Sequence, residues 1–217
     1  MPLIGEDGQR ILESSHVIVV GCGGLGSSVI SALTCAGVGH LTLIDGDTVS
    51  ESNLNRQFIH ADRLGMNKAE SAAVWVGSMD GSCRVDVIDT FLDECDRSVF
   101  TDADLVLDCM DNIRSRLLLA EICASYGKIL VHCAVDSHYG QLCVIRPDGA
   151  LRMEDIYGSR VEKDIHLSMA PYVMTMGALE AQQAISVLLG SDDVLYDEIL
   201  SVDMRTMSMT RYAIRRR

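Results

Sequence analysis

Alternating strand-sized and helix-length segments predict an α/β fold, and two further observations support it. A glycine cluster, Gly21-Cys22-Gly23-Gly24-Leu25-Gly26, stands directly between the first apolar strand and the first helix-like run. Two late segments, 198–204 and 208–214, read as a final strand pair. Strands separated by helices imply right-handed βαβ crossovers and a parallel sheet. The expected architecture is therefore a Rossmann-like, mostly parallel sheet with helices on both faces and a C-terminal antiparallel strand extension.

The elements follow in order. His16–Val20 is the first strand, with residues 25–36 as the helix after the glycines. Residues 41–44 form a second strand ending on Asp45, and a polar loop from 46 to about 66 leads to a helix opening near Lys68. Residues 84–88 and 104–108 read as the third and fourth strands. A helix over 113–126 stops at Gly127, a natural C-terminal signal. Residues 129–133 and 141–146 are the fifth and sixth strands. The stretch 148–166 is polar and aperiodic, which predicts a surface loop; 174–189 is a helix closed by Gly190, and the tail Arg215-Arg216-Arg217 a frayed end.

At 217 residues without repeats or linkers, one domain spanning 1–217 is expected. No apolar run is long enough to span a membrane, and the N-terminus has no basic start or apolar core of a signal peptide, so a cytoplasmic protein is expected. None of the eight cysteines forms a C-x-x-C pair. No zinc site is expected, and most of the thiols fit buried, reduced positions. The formal net charge is −13 and the sequence pI about 4.7, which disfavours nucleic acid and anionic membranes as partners. A phosphate site must then gather its cations locally.

The glycine cluster fits G-x-G-x-x-G, with Gly21, Gly23, Gly24, Leu25 and Gly26 able to bring backbone close to a phosphate at a helix N-terminus. Asp45, 24 residues after Gly21, suits ribose hydroxyls. These features establish a nucleotide without choosing one, and an NAD-dependent oxidoreductase would carry the same residues. Three additions favour a triphosphate. Asp45-Gly46-Asp47 is followed by the amide-rich run Ser52-Asn53-Leu54-Asn55-Arg56-Gln57; Lys68 opens the next helix; and Asp108-Cys109-Met110-Asp111-Asn112 follows the fourth strand. Attack at phosphorus needs such cations and a metal-binding acid, whereas hydride transfer does not. Arg56 can fork onto phosphate, Lys68 supplies a point charge, and Asp111 can hold Mg²⁺. Each has a plainer alternative: Asp45 capping a turn, Arg56 pairing with a surface acid, Lys68 solvated, or Asp111 serving as N-cap of the following helix.

Across residues 5–190 these motifs resemble the ThiF/MoeB/HesA family, bacterial relatives of ubiquitin-activating enzymes. The resemblance rests on GEDGQ, GCGGLGS, AGVGHLTLIDGDTVSESNLNRQF, GMNKAESA, DCMDN and GALEAQQAI in that order. It implies an enzyme that uses Mg-ATP to adenylate the C-terminal glycine carboxylate of a small ubiquitin-like sulfur carrier, releasing pyrophosphate. By the same resemblance Gly24 and its neighbours contact phosphates, Asp45 the ribose, and Asn53, Arg56 and Lys68 the triphosphate. Asp111 supports Mg²⁺ and catalysis, with Asn112 near the nucleotide. A symmetric homodimer and a carrier tail passing under residues 148–166 are implied as well.

Three departures qualify that picture. The two C-x-x-C pairs of zinc-bearing members are missing. The chain starts after the segment that carries the family's N-terminal arginine; Arg10 is not its positional equivalent, and Arg63 is a candidate substitute. The crossover stretch 153–174 has no cysteine, so adenylation without a thioester there is expected. The rivals are a tRNA-modifying superfamily member, an NAD-dependent oxidoreductase and a non-catalytic carrier-binding scaffold.

Overall fold

A computed structural model describes residues 3–158 and 168–214 of the chain. The first half runs α1 (Gly5–Ser14), β1 (His16–Val20), α2 (Gly24–Ala36), β2 (His40–Ile44), α3 (Lys68–Met79), β3 (Arg84–Ile88) and β4 (Leu105–Asp108). The second half continues with α4 (Ile113–Ser125), β5 (Leu130–Asp136), β6 (Tyr139–Ile145), α5 (Met153–Tyr157), α6 (Ala170–Leu188), β7 (Glu198–Asp203) and β8 (Ser208–Ala213). One eight-stranded sheet has the order β3-β2-β1-β4-β5-β6-β7-β8, parallel through β5 and antiparallel thereafter.

Period-two alternation in the strands builds two cores. Val17, Val19, Leu41, Leu43, Leu105 and Leu107 pack against α2, α3 and α6, whereas Ile18, Val20, Ile44 and Val106 face α4 and α5. Strands buried on both faces read as continuous apolar runs, which is why β1 and β4 were conspicuous in the sequence. Chain direction from β1 to β2 and from β3 to β4 diverges, leaving a switch point between β1 and β4. Val20 is in register with both Ile44 and Asp108. The turns after β1, β2 and β4 therefore leave the same carboxyl edge side by side, where open α/β sheets bind ligands.

Several expectations need correction. α1 had no counterpart in the sequence reading; it buries Gly8 and Leu12 and is only ten residues long with two glycines, weak helix formers, among them. The stretch 148–166 is not wholly loop: α5 lies within it and buries Met153, Ile156 and Tyr157, though five residues are too few to establish a period. Residues 159–167 lie outside the described residues, as does the Arg215–217 tail. β5 and β6 each extend beyond the expected bounds and meet in a hairpin through Ser137 and His138, with Ser137 at φ 59°. α6 begins at residue 170, with Pro171 in its first turn, the position where a missing N–H costs nothing. No helix among the described residues is long and apolar enough to cross a membrane.

Candidate functional site

A cleft of about 970 Å³ opens at the switch point, lined by the turns after β1, β2, β3 and β4 together with the β5–β6 hairpin. Its floor is the glycine turn. Gly21 has φ +96°, and a Cβ there would lie 2.7 Å from the Cys109 carbonyl oxygen. A Cβ on Gly26 would lie 2.1 Å from the Gly21 oxygen. Neither position admits another residue without moving backbone. Gly24 opens α2, whose unpaired N-terminal amides and dipole favour an anion.

Asp45 is bound to that turn as well as facing the cleft. Its Oδ2 accepts from the Cys22 amide at 2.7 Å and its Oδ1 from the Asp47 amide at 2.8 Å. It thus fulfils the turn-capping alternative while still lining the cleft. Burial is the main cause that raises its pKa, opposed by those two amides. Lys68 is not solvated: it is 7% exposed, and its Nζ donates to Asp47 Oδ2 at 2.8 Å. Arg56 lays its stem beside Gly24 and donates to the Asn55 side-chain oxygen at 3.0 Å, so its described partners are neutral oxygens.

Asp111 stands exposed in the cleft wall, and it is Asn112 that caps α4, accepting from the Ser115 amide at 2.8 Å. Gly21, Gly23, Gly24, Leu25, Asp45, Asp47, Arg56, Lys68, Asp111 and Asn112 all line this one space. Gly26 lies just beneath it. Asn53 is outside the lining: its side chain accepts from the Ser50 amide at 3.1 Å and caps a short 3₁₀ turn. Arg63 also turns away, donating to the Ile59 carbonyl at 2.9 Å. Arg10 is exposed and pairs with Asp7 and Glu6 on its own helix.

The sequence reading gave no role to three residues: Gln57 and Phe91, which line the cleft, and Asn67, which supports it from behind. Gln57, 4% exposed, sets its amide beside Gly23, and its Oε1 has no partner among the described residues. Its place next to Arg56 was the available signal. Asn67 caps α3 through the Ala69 and Glu70 amides and donates to the Asp45 and Asp47 carbonyls at 2.7 and 3.2 Å, joining the loop after β2 to Lys68. Phe91 is 53% exposed in the cleft just past β3, offering a flat apolar face. Position after a strand's carboxyl end was its only signature.

Cysteine chemistry is not prominent here. Cys35 alone of the eight is exposed. Burial pushes the thiols of Cys22, Cys109 and Cys133 well up, away from the reactive thiolate.

The described geometry suits a phosphate-bearing ligand: a cradle closed to side chains, a buried lysine, a forkable arginine and an orphaned amide line or border one space. Among the described residues no three His, Cys, Asp or Glu side chains group to enclose a metal ion. A lone exposed carboxylate such as Asp111 fits the alternative in which phosphate oxygens and water complete a Mg²⁺ shell.

Comparison with known proteins gives a consistent picture. The model of the ThiF family matches residues 1–217. The chain is 34% identical to the molybdopterin-synthase adenylyltransferase of Escherichia coli, covering 94% of this chain and 87% of that one. It is 34% identical to the SAMP-activating enzyme E1 of Haloferax volcanii, covering 96% and 80% respectively. With the Yarrowia lipolytica adenylyltransferase and sulfurtransferase UBA4 it shares 37% identity over 88% of its own length, spanning half of that larger protein. Among solved structures, E. coli MccB with ATP superposes with a TM-score of 0.82 at 19% identity, covering 97% of this chain and 66% of that one, a likeness of fold.

Proposed function

The chain belongs to the ThiF family, and on that premise we propose that it adenylates the C-terminal glycine carboxylate of a small ubiquitin-like sulfur carrier at the expense of ATP. The observation that carries the reading is the convergence of Arg56, Lys68 and Asp111 on one cleft floored by the glycine turn. Relatives whose names describe adenylyltransferases support the reaction class.

In this reading the carrier's tail enters along the β5–β6 hairpin and brings its carboxylate to the α-phosphate. A carboxylate oxygen forms a bond to phosphorus as the bond to the β-phosphate oxygen breaks, and pyrophosphate leaves with the electron pair. No side chain serves as nucleophile. Arg56 and Lys68 take up the charge that gathers on the phosphate oxygens, Asp45 orients the ribose and the amides at the start of α2 hold phosphate. Asp111 would hold Mg²⁺, which neutralises the departing pyrophosphate when bound. Asp47, paired with Lys68, keeps the lysine from relaxing out of the cleft. The protein is proposed to work in the cytoplasm and as a homodimer.

Pyrophosphate–ATP exchange measured with a purified Gly-Gly carrier tests this. Exchange should need the carrier and vanish when its terminal glycine is removed. Carrier-independent exchange, or none with any Gly-Gly carrier, would refute it.

A further inference from the structure

We propose that Tyr157 is a positioning residue: from α5 it fixes the Met110–Asp111 turn through a closed ring of hydrogen bonds buried under the cleft. The proposal rests on the reading above, in which Asp111 serves the nucleotide.

The ring has five members. Asp108 at the end of β4 and His132 on β5 are fully buried, and Arg116 on α4 and Tyr157 on α5 nearly so. Asp108 Oδ1 accepts from the Met110 amide at 3.1 Å, and its Oδ2 meets His132 Nδ1 at 2.7 Å. A carboxylate only accepts, so Nδ1 carries the proton and Nε2 is left bare. Tyr157 then donates its hydroxyl hydrogen to Nε2, 3.2 Å away, and its oxygen accepts from Arg116 Nη1. Arg116 Nη2 donates to the Met110 carbonyl and closes the ring. Gln141 also approaches Nε2, at 3.3 Å. Every hydrogen runs in one consistent direction, and burial, which lowers the His132 pKa, favours the neutral ring this scheme requires.

Both polar atoms of the Met110 backbone are thereby gripped, one residue before Asp111. No glycine or proline sets that turn; the Cys109 amide donates to the Val20 carbonyl at 2.9 Å before it and Asn112 caps α4 after it, and between them the Met110 backbone is held by the ring. Burying such groups is an expensive way to gain stability, because an apolar set of equal volume would serve as well or better. What the ring adds is a fixed geometry. Tyr157 is its one member contributed from beyond β6, and it ties the placement of Asp111 to the packing of α5.

Tyr157→Phe removes only the hydroxyl. In carrier-dependent exchange it should lower kcat about 10-fold while the KM values for ATP and carrier stay within about 2-fold, because a misplaced acid costs rate rather than affinity. Hydrogen–deuterium exchange of the free protein should show faster exchange at residues 109–113, with β1 and β2 unchanged. His132→Asn, whose amide replaces Nδ1 but cannot reach Tyr157, should give the same pattern and serves if the first variant fails to fold. A raised KM with kcat intact would make Tyr157 a direct ligand contact and overturn the proposal, as would unaltered protection at 109–113. Should the wild-type protein show no exchange reaction, the adenylation reading fails, and the deuterium result still judges the ring.

Discussion

Two neighbouring turns at the sheet's carboxyl edge are fixed by opposite means. The β1–α2 turn is set by what it lacks: Gly21 and Gly26 leave no room for a Cβ, and the Asp45 carboxylate ties down the intervening amide. The β4–α4 turn, Cys109-Met110-Asp111-Asn112, contains no glycine and is held by side chains from β4, β5, α4 and α5. The two are in contact, since the missing Cβ of Gly21 would strike Cys109. Close backbone packing thus sets one wall of the cleft, and a network of buried side chains the other.

The contrast can be tested by breaking each turn in its own way. The largest effect belongs to Arg116→Met, which strips the buried Asp108 carboxylate of its nearby cation and opens the ring. Urea unfolding should report a loss of about 3–5 kcal/mol; a loss under about 1 kcal/mol would show that the side-chain ring does not hold this turn. Gly26→Ala comes next, because its Cβ would meet backbone at 2.1 Å and not a yielding side chain. The cost should be about 3 kcal/mol, with nucleotide binding lost. A third test concerns Glu180 on α6, fully buried beneath the same turn with both oxygens 3.7 Å from the Cys109 thiol.

Burial above all raises the Glu180 pKa well beyond its ordinary 4.5. The unfolded chain releases this proton near pH 4.5 while the folded protein keeps it, so stability falls as pH rises from there toward the folded value. Glu180→Gln should therefore melt at least about 2 °C above the wild type at pH 8, the gap closing toward pH 4.5. A gap independent of pH would mean the acid is not protonated in the fold. Smallest of all is Gly24→Ala, whose Cβ meets Val173 at an ordinary 3.4 Å. Its stability should shift by less than about 1 kcal/mol, and a loss matching Gly26→Ala would contradict the steric reading of that turn.

The same contrast explains what could be read from sequence. The glycine turn, Asp45 and Lys68 stood out because each sits at a strand end or helix start, and Arg56 because it lies in an amide-rich run. β1, β3 and the β7–β8 pair were legible from apolar runs and turn spacing. Tyr157, His132 and Arg116 were not, since nothing local marks a residue whose partner lies 25 or 41 positions away. α5 was too short to show a period, and the two glycines in α1 argued against a helix that nonetheless forms. Asn53 is a motif position whose side chain closes its own 3₁₀ turn and lies outside the cleft lining.

The central claim is that Arg56, Lys68 and Asp111 serve one bound ATP. Equilibrium binding of ATP and of NADH to the wild type and to Arg56→Ala and Lys68→Ala tests it most directly. ATP should bind in the presence of Mg²⁺ and weaken about 10-fold or more in each variant, and NADH should not bind. Tight NADH binding without ATP binding, or ATP binding that neither substitution disturbs, would contradict the account.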